Sequence, residues 1–252
     1  MGSLPTGGTF EPRKSSMLRK TVVYWSTDLR INAFIEAQLI LLTFATGIQD
    51  AISYPDFRCF ASNQTGNTVV LAVALAGHIH DLFDPANVGT SLTTFLAGAI
   101  VTGHLGTAVG KRNRFWQFGV NAVQVCMVFG AAWIQYVHGD QERGNWARAA
   151  LALIALSSGS QVAAARAMSI PEIPTAMATA AWVDLLIDDG ILMRRNRSRD
   201  RRVLFLAALI AGSFAGAFMR AQLGSPLALV VSAIGKALVP IAILFTGGEV
   251  RS

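Results

Sequence analysis

The stretch Phe60-Ala61-Ser62-Asn63-Gln64-Thr65-Gly66-Asn67-Thr68 sets polar side chains and a glycine directly before the apolar run 69–76. Exposed to lipid, such a stretch would strand its polar main chain. Non-helical backbone survives at membrane depth only where protein or a water-filled cavity satisfies its N–H and C=O groups. A half-helix starting here would aim its free N–H groups and the positive end of its dipole inward, with Thr65, Asn67 and Thr68 adding hydroxyl and amide contacts. The competing reading is an ordinary N-cap at the membrane interface. Both readings presuppose a bilayer, and the rest of the chain is composed for one.

Of the 252 residues, 52% are hydrophobic and 14% are Asp, Glu, Lys or Arg, against about 25% charged in typical soluble domains. A mean hydropathy of +0.45 disfavours disorder. The 23 glycines follow no collagen period, and two cysteines cannot staple a small secreted scaffold. A net charge of +6 suits nucleic acid only when Lys and Arg share a folded soluble face. Here they sit in short clusters between apolar runs, as topology determinants do. The expected partner is the lipid bilayer, with no nucleic acid.

Six apolar stretches, near 31–54, 88–110, 115–137, 147–168, 203–222 and 226–246, are long enough to cross a hydrocarbon core. Two more, near 64–80 and 174–189, are shorter and follow polar or proline-broken sequence at 55–67 and 171–175. If both short segments enter and leave by one face, three basic groups share a side. These are the 1–30 tail, Lys111/Arg112/Arg114, and the run from Arg194 to Arg202, with Arg251 beside them; Arg58, Arg143 and Arg148 fall opposite. Eight spans would move Lys111, Arg112 and Arg114 outside. The expected fold is therefore an all-α polytopic membrane helix bundle of six spans plus two short re-entrant or broken helices, with both termini cytoplasmic and eight spans as the alternative. Trp116 and Trp133 bracket one span, so both reach interfaces. Residues 1–30 read as a polar basic tail without the h-region of a signal peptide, 31–246 as the transmembrane domain and 247–252 as a C-terminal tail.

A two-fold internal repeat is also legible, with halves at about 31–137 and 147–246. Gly47-Ile48-Gln49-Asp50-Ala51 matches Gly159-Ser160-Gln161-Val162-Ala163, Thr65 matches Thr179, and Phe95-Leu96-Ala97 matches Phe205-Leu206-Ala207, at offsets between 110 and 114. With three crossings per half the second copy is inverted, as in transporters whose paired broken helices build a central site.

Gly47, Asp50, Ala51 and Ser53, followed by Phe60, Asn63, Thr65, Gly66 and Asn67, resemble the signature G-x-x-D-A-x-S then F-x-x-N-x-T-G-N of the YoaK-like membrane family of unknown function. The likeness covers about residues 33–246. The second half keeps Gly159, Gln161 and Thr175 but has Thr179-Ala180 where the family pattern has glycine. The resemblance implies a polytopic membrane protein, sometimes labelled a permease by analogy, and supplies neither substrate nor catalytic residue.

Ionisable residues inside spans need a partner or a wet cavity. Asp50 reads as a cation or proton site, as an acceptor holding the Thr65–Asn67 turn, or as a cap on neighbouring N–H groups. Lys236, at the midpoint of the last span, is too deep to snorkel, and Asp50 or Glu36 is the expected acid partner. Glu36 also reads as interfacial, and Arg166 and Arg220 as snorkelling from span ends. His104 reads as a proton relay or as a simple interhelical hydrogen-bonding group. Gly106-x-x-x-Gly110 and Gly212-x-x-x-Gly216 read as matching packing motifs of the two halves. His78-Ile79-His80-Asp81 with Asp84 fits no closed zinc spacing, so no metal is expected. Cys59 and Cys126 fall at different depths and are not expected to pair.

No phosphate-binding loop, H-E-x-x-H or G-x-S-x-G motif is present, so neither catalytic residues nor a cofactor is assigned. The sequence favours a transporter or channel-like permease for a small polar or anionic solute. Asp50, Asn63, Thr65, Gly66, Asn67, Thr179 and Lys236 are its candidate substrate ligands, and Asp50 and His104 its candidates for proton coupling. A non-transporting scaffold or sensor is the rival, an intramembrane enzyme a third reading, and a homo-oligomer fits any of them.

Overall fold

The computed structural model describes residues 13–76 and 83–249, with side chains from residue 19 onward. The His78-Ile79-His80-Asp81 cluster, Arg251 and the first twelve residues of the tail lie outside the described residues.

The order is α1 (Arg13–Ser26), β1 (Asp28–Leu29), α2 (Ala33–Phe57), α3 (Gln64–Leu75), α4 (Pro85–Val109), α5 (Arg114–His138), α6 (Asn145–Arg166), α7 (Ala178–Leu186), α8 (Arg197–Leu223), α9 (Ser225–Phe245) and β2 (Gly248–Glu249). Six of these helices, α2, α4, α5, α6, α8 and α9, are long and apolar enough to cross a membrane. The 12 residues of α3 and the 9 of α7 rise only about 18 and 14 Å, short of a hydrocarbon core about 30 Å thick. The eight-span alternative therefore fails on length, and the chain is an all-α, multi-pass membrane helix bundle.

The packing is that of a membrane protein. Large apolar side chains cover the outside, such as Phe214 and Phe218 on α8 and Leu238 and Ile241 on α9, while glutamines, serines and threonines are buried. Hydrogen bonds sort the helix ends into two groups. At one end Leu29 N donates to Arg112 O, β1 pairs with β2, Arg114 Nη2 donates to Thr246 O, and Glu36 of α2 meets Arg197 and Arg201 of α8. At the other end Asn87 Nδ2 donates to both Phe57 O and Glu142 O, and Arg220 meets Asp56. The stretch containing α3 thus leaves α2 and rejoins α4 at one end, and that containing α7 leaves α6 and rejoins α8 at the opposite end.

Two helix crossings are made by glycine. A Cβ on Gly47 would fall 2.5 Å from the Leu209 carbonyl oxygen, and one on Gly212 would overlap the Phe44 carbonyl, so α2 and α8 touch backbone to backbone. Gly98 against Leu156 O and Gly159 against Phe95 O do the same for α4 and α6. Small residues allow this approach where lipid supplies no hydrophobic drive between helices. The sequence motif is corrected in one half: Gly212-x-x-x-Gly216 packs on α2, whereas Gly106 faces the Trp116 ring and Gly110 caps α4, so Gly98 is the crossing residue there.

Within the basic tail, residues 13–26 form the helix α1. Trp25 sits edge-on to Phe115 and Phe118 of α5, the Tyr24 hydroxyl donates to Leu244 O, and the Arg114 guanidinium lies 4.0 Å from the Tyr24 ring centre. A basic segment ending in Tyr and Trp has the make-up of an interfacial helix.

Candidate functional site

The polar stretch 60–68 folds back along the last two turns of α2. Pro55 in that helix cannot donate to the Ala51 carbonyl, and Arg58 ends it in the left-handed conformation, φ 57°. The returning chain is received by α2: Ala61 N donates to Ser53 Oγ, and Ser62 donates to Asp50 from both N (2.8 Å) and Oγ (2.5 Å). Asn67, fully buried, closes the loop. Its Oδ1 accepts from Phe60 N, and its Nδ2 donates to Phe60 O, Gln64 Oε1 and Ser91 Oγ. Asn63 caps α3 through Gly66 N, and the side chains of Asn63 and Thr65 are exposed. Asp50 thus holds Ser62 rather than the Thr65–Asn67 turn. Asn67→Ala would strand the Phe60 N–H, while the Phe60 carbonyl keeps the Ser91 hydroxyl, and a loss on the order of 2 kcal/mol is expected, read as a lower midpoint in thermal unfolding of the detergent-solubilised protein.

The second turn is built differently. Val162 stands where the first half has Asp50, and Pro171 and Pro174 stiffen the chain instead. Ile170 and Ile173 are buried, Thr175 adopts φ 64°, and Glu172 accepts from Ser198 Oγ and meets Arg201. Thr179 is exposed.

Between the turns lies a buried polar layer. On α5 the positions Arg114, Gln117, Asn121, Gln124, Val128, Ala131 and Gln135 are buried at alternating spacings of three and four, the seam by which one helix packs along another. On α9 the seam is Ser225, Leu229, Ser232, Lys236, Val239 and Ile243. Polar side chains from five helices meet here. Gln124 Nε2 donates to Ser160 Oγ of α6, which also accepts from Thr102 Oγ1 of α4. Gln49 Nε2 of α2 donates to Ser232 Oγ, and Gln161 Nε2 of α6 to Thr46 Oγ1 of α2. The side-chain oxygens of Gln49, Gln124 and Gln161 find no donor among the described residues.

Lys236 sits in this layer, 1% exposed, with its ammonium donating to Ser157 Oγ at 2.9 Å. It makes no ion pair among the described residues. Neither expected acid reaches it. Gln49, not Asp50, faces α9, and the next residue along a helix points about 100° away; Asp50 turns to Ser62. Glu36 is at the far end of α2, held by Arg197 (2.5 Å) and Arg201 (2.7 Å). Pro240 lies one turn past Lys236 and cannot donate to its carbonyl. A lone ammonium at a span centre costs about 3 kcal/mol on insertion scales, and an amide-and-hydroxyl layer offers dipoles but no compensating charge.

Arg220 does not snorkel: its Nε donates to Asp56 Oδ1 at 2.6 Å, and Gln135 Nε2 donates to Asp56 Oδ2. Asp56 is buried while Arg220 keeps 34% of its side chain exposed. Arg220→Met is expected to destabilise by about 2 kcal/mol, less than for a fully buried pair because solvent screens the arginine, with Asp56→Asn in the same chain recovering most of it in a double-mutant cycle. His104 lies on the outward face of α4, about 200° around the helix from Thr102.

Of the candidate residues, the structure brings Asp50, Asn63, Thr65, Gly66 and Asn67 together at one turn, and sets Lys236, Thr179 and His104 in three other places. Gln49, Gln124, Gln161, Ser157 and the Asp56–Arg220 pair were missed. The α5 seam was the available signal, since polar residues repeating at three and four in an apolar span mark a buried face. No curated protein and no solved structure matches the chain. Residues 38–242 match the family model described as "Protein of unknown function (DUF1275)". The chain, a multi-pass helical membrane protein, belongs to that family of unknown function.

Proposed function

We propose that this chain is a permease for a small anion, bound at mid-membrane by Lys236 and the amides and hydroxyls around it. One observation carries the reading: a buried ammonium that has, among the described residues, a single hydrogen bond and no acid, in a layer with unused acceptors. A ligand's negative charge compensates such a cation, and the spare glutamine oxygens accept from its O–H groups or its water.

In this reading the halves form an inverted repeat. Gly47 and Phe44 stand 112 residues before Gly159 and Leu156, and Phe95 and Gly98 stand 114 before Leu209 and Gly212, so the two glycine crossings repeat each other. The match for Phe95 accordingly moves one turn, from Phe205 to Leu209. Gln124 and Lys236, also 112 apart, become equivalent seam positions, and inverted repeats place substrate sites at the midplane between halves. Both termini are assigned to the cytoplasm, because Arg30, Lys111, Arg112, Arg114 and Arg197 gather at the end opposite Arg58 and Arg143. Asp50 and Asn67 then brace the helices around the site, and Asn63, Thr65, Gly66, Thr179 and His104 take no part in holding the anion.

The rival, a non-transporting scaffold or sensor, is favoured by one feature, the way the Asp50–Asn67 network closes on itself. Flux into proteoliposomes separates the two. Formate, acetate, nitrate or phosphate should enter faster than into empty vesicles, choline should not, and Lys236→Gln should slow entry at least about tenfold, as expected for loss of a charged hydrogen bond. A folded protein that passes none of these anions under any gradient of solute or pH supports the scaffold.

A further inference from the structure

We infer that the groove between α4 and α5 is a binding site for an anionic phospholipid, with one acyl chain between the helices and the phosphate at Lys111 and Arg166. Although consecutive, α4 and α5 stand apart, because α4 is held to α6 at Gly98 and Gly159 while α5 packs on α6 and α9. Gly103 and Gly119 keep the gap open: a Cβ on either would meet nothing within 4 Å. The resulting cavity of about 370 Å³ is walled by Val101, Leu105, Phe115, Val123 and Met127. Val101, Leu105, Phe115 and Val123 are themselves exposed on the lipid side, so the cavity opens to the bilayer rather than to water.

Past Trp116 and Thr102, which line both spaces, a second cavity of about 270 Å³ carries Lys111 and Arg166. Neither makes an ion pair among the described residues; the guanidinium of Arg166 lies 4.0 Å from the Met177 sulfur. An apolar slot ending in two unpaired cations at a helix end matches an amphiphile with an acyl tail and an anionic head, and basic pockets between spans bind such headgroups. A free inorganic anion would leave the apolar slot unused.

Native mass spectrometry of the full-length protein with equimolar phosphatidylglycerol and phosphatidylcholine tests this. One bound phosphatidylglycerol is expected, preferred about 25-fold at about fivefold per basic side chain. Lys111→Gln with Arg166→Gln should bring the preference close to one. Gly119→Leu, which fills open space and should not unfold the protein, should displace the lipid, with the melting temperature checking the fold. Arg194→Gln with Arg195→Gln, equal in charge change but outside the groove, should leave the preference intact. Equal retention of both lipids by the wild type, an unchanged preference in the Lys111/Arg166 variant, or full retention by Gly119→Leu would each overturn the assignment.

Discussion

Gly159→Leu is expected to leave little or no folded protein after detergent extraction. At the crossing of α4 and α6 an added Cβ would overlap the Phe95 carbonyl, which is backbone and cannot rotate aside, so a whole helix must shift. Overpacking a close-packed interior commonly costs about 1–3 kcal/mol, and a leucine forced between two main chains belongs beyond the upper end. Gly159→Ala should already lower the thermal midpoint. Gly89→Leu is the control: it lies in α4, where a Cβ would meet nothing within 4 Å, and replacing a helical glycine stabilises by up to about 1 kcal/mol. A monodisperse Gly159→Leu protein with wild-type melting would show that the two helices do not touch there.

Lys236→Met is expected to make the protein more stable and to abolish anion entry. Methionine has a similar unbranched shape, so the layer keeps its packing, and removing an unpaired charge from the span centre gains about 3 kcal/mol on insertion scales, offset by about 1 kcal/mol for the lost bond to Ser157. A net gain of about 2 kcal/mol should appear as a raised unfolding midpoint. The opposite signs of the two effects carry the information. A structural lysine would lower stability when removed, whereas one kept for a ligand weakens the empty protein and is needed only when the ligand is present.

The spans were legible because a soluble fold rarely contains an unbroken apolar run of membrane length, and the observed helices begin and end within a few residues of the expected ones. The exception is α8, which starts at Arg197 rather than near 203. Its first turn is arginine-rich and therefore outside any hydropathy window, yet Asn196 caps it and Arg197 and Arg201 are held by Glu36. The polar turn before α3 was legible for the same reason that it is informative, since polar main chain beside an apolar half-helix must be sheltered. Its partners were not. Asp50 was expected near Lys236, but one residue of helix rotation points Gln49 at α9 and Asp50 at Ser62. The polar layer was hidden because hydropathy averages over a helix and masks one polar stripe among three apolar faces. The 3-4 spacing from Arg114 to Gln135 carried it throughout. Gly98 could not be told from Gly103 or Gly106, because which glycine meets a neighbour depends on the crossing point of two helices far apart in sequence.

The most direct test places proteoliposomes on a solid-supported membrane and steps the outside solution from a large monovalent organic anion such as gluconate to a small monovalent anion at constant ionic strength. A displacement current of the sign for inward negative charge is the expected result. It should be retained in Lys236→Arg, lost in Lys236→Met, and unaffected by Asn63→Ala, whose exposed side chain lies away from the layer. Equal currents from the wild type and Lys236→Met, both folded, would contradict the claim that the buried ammonium receives the anion.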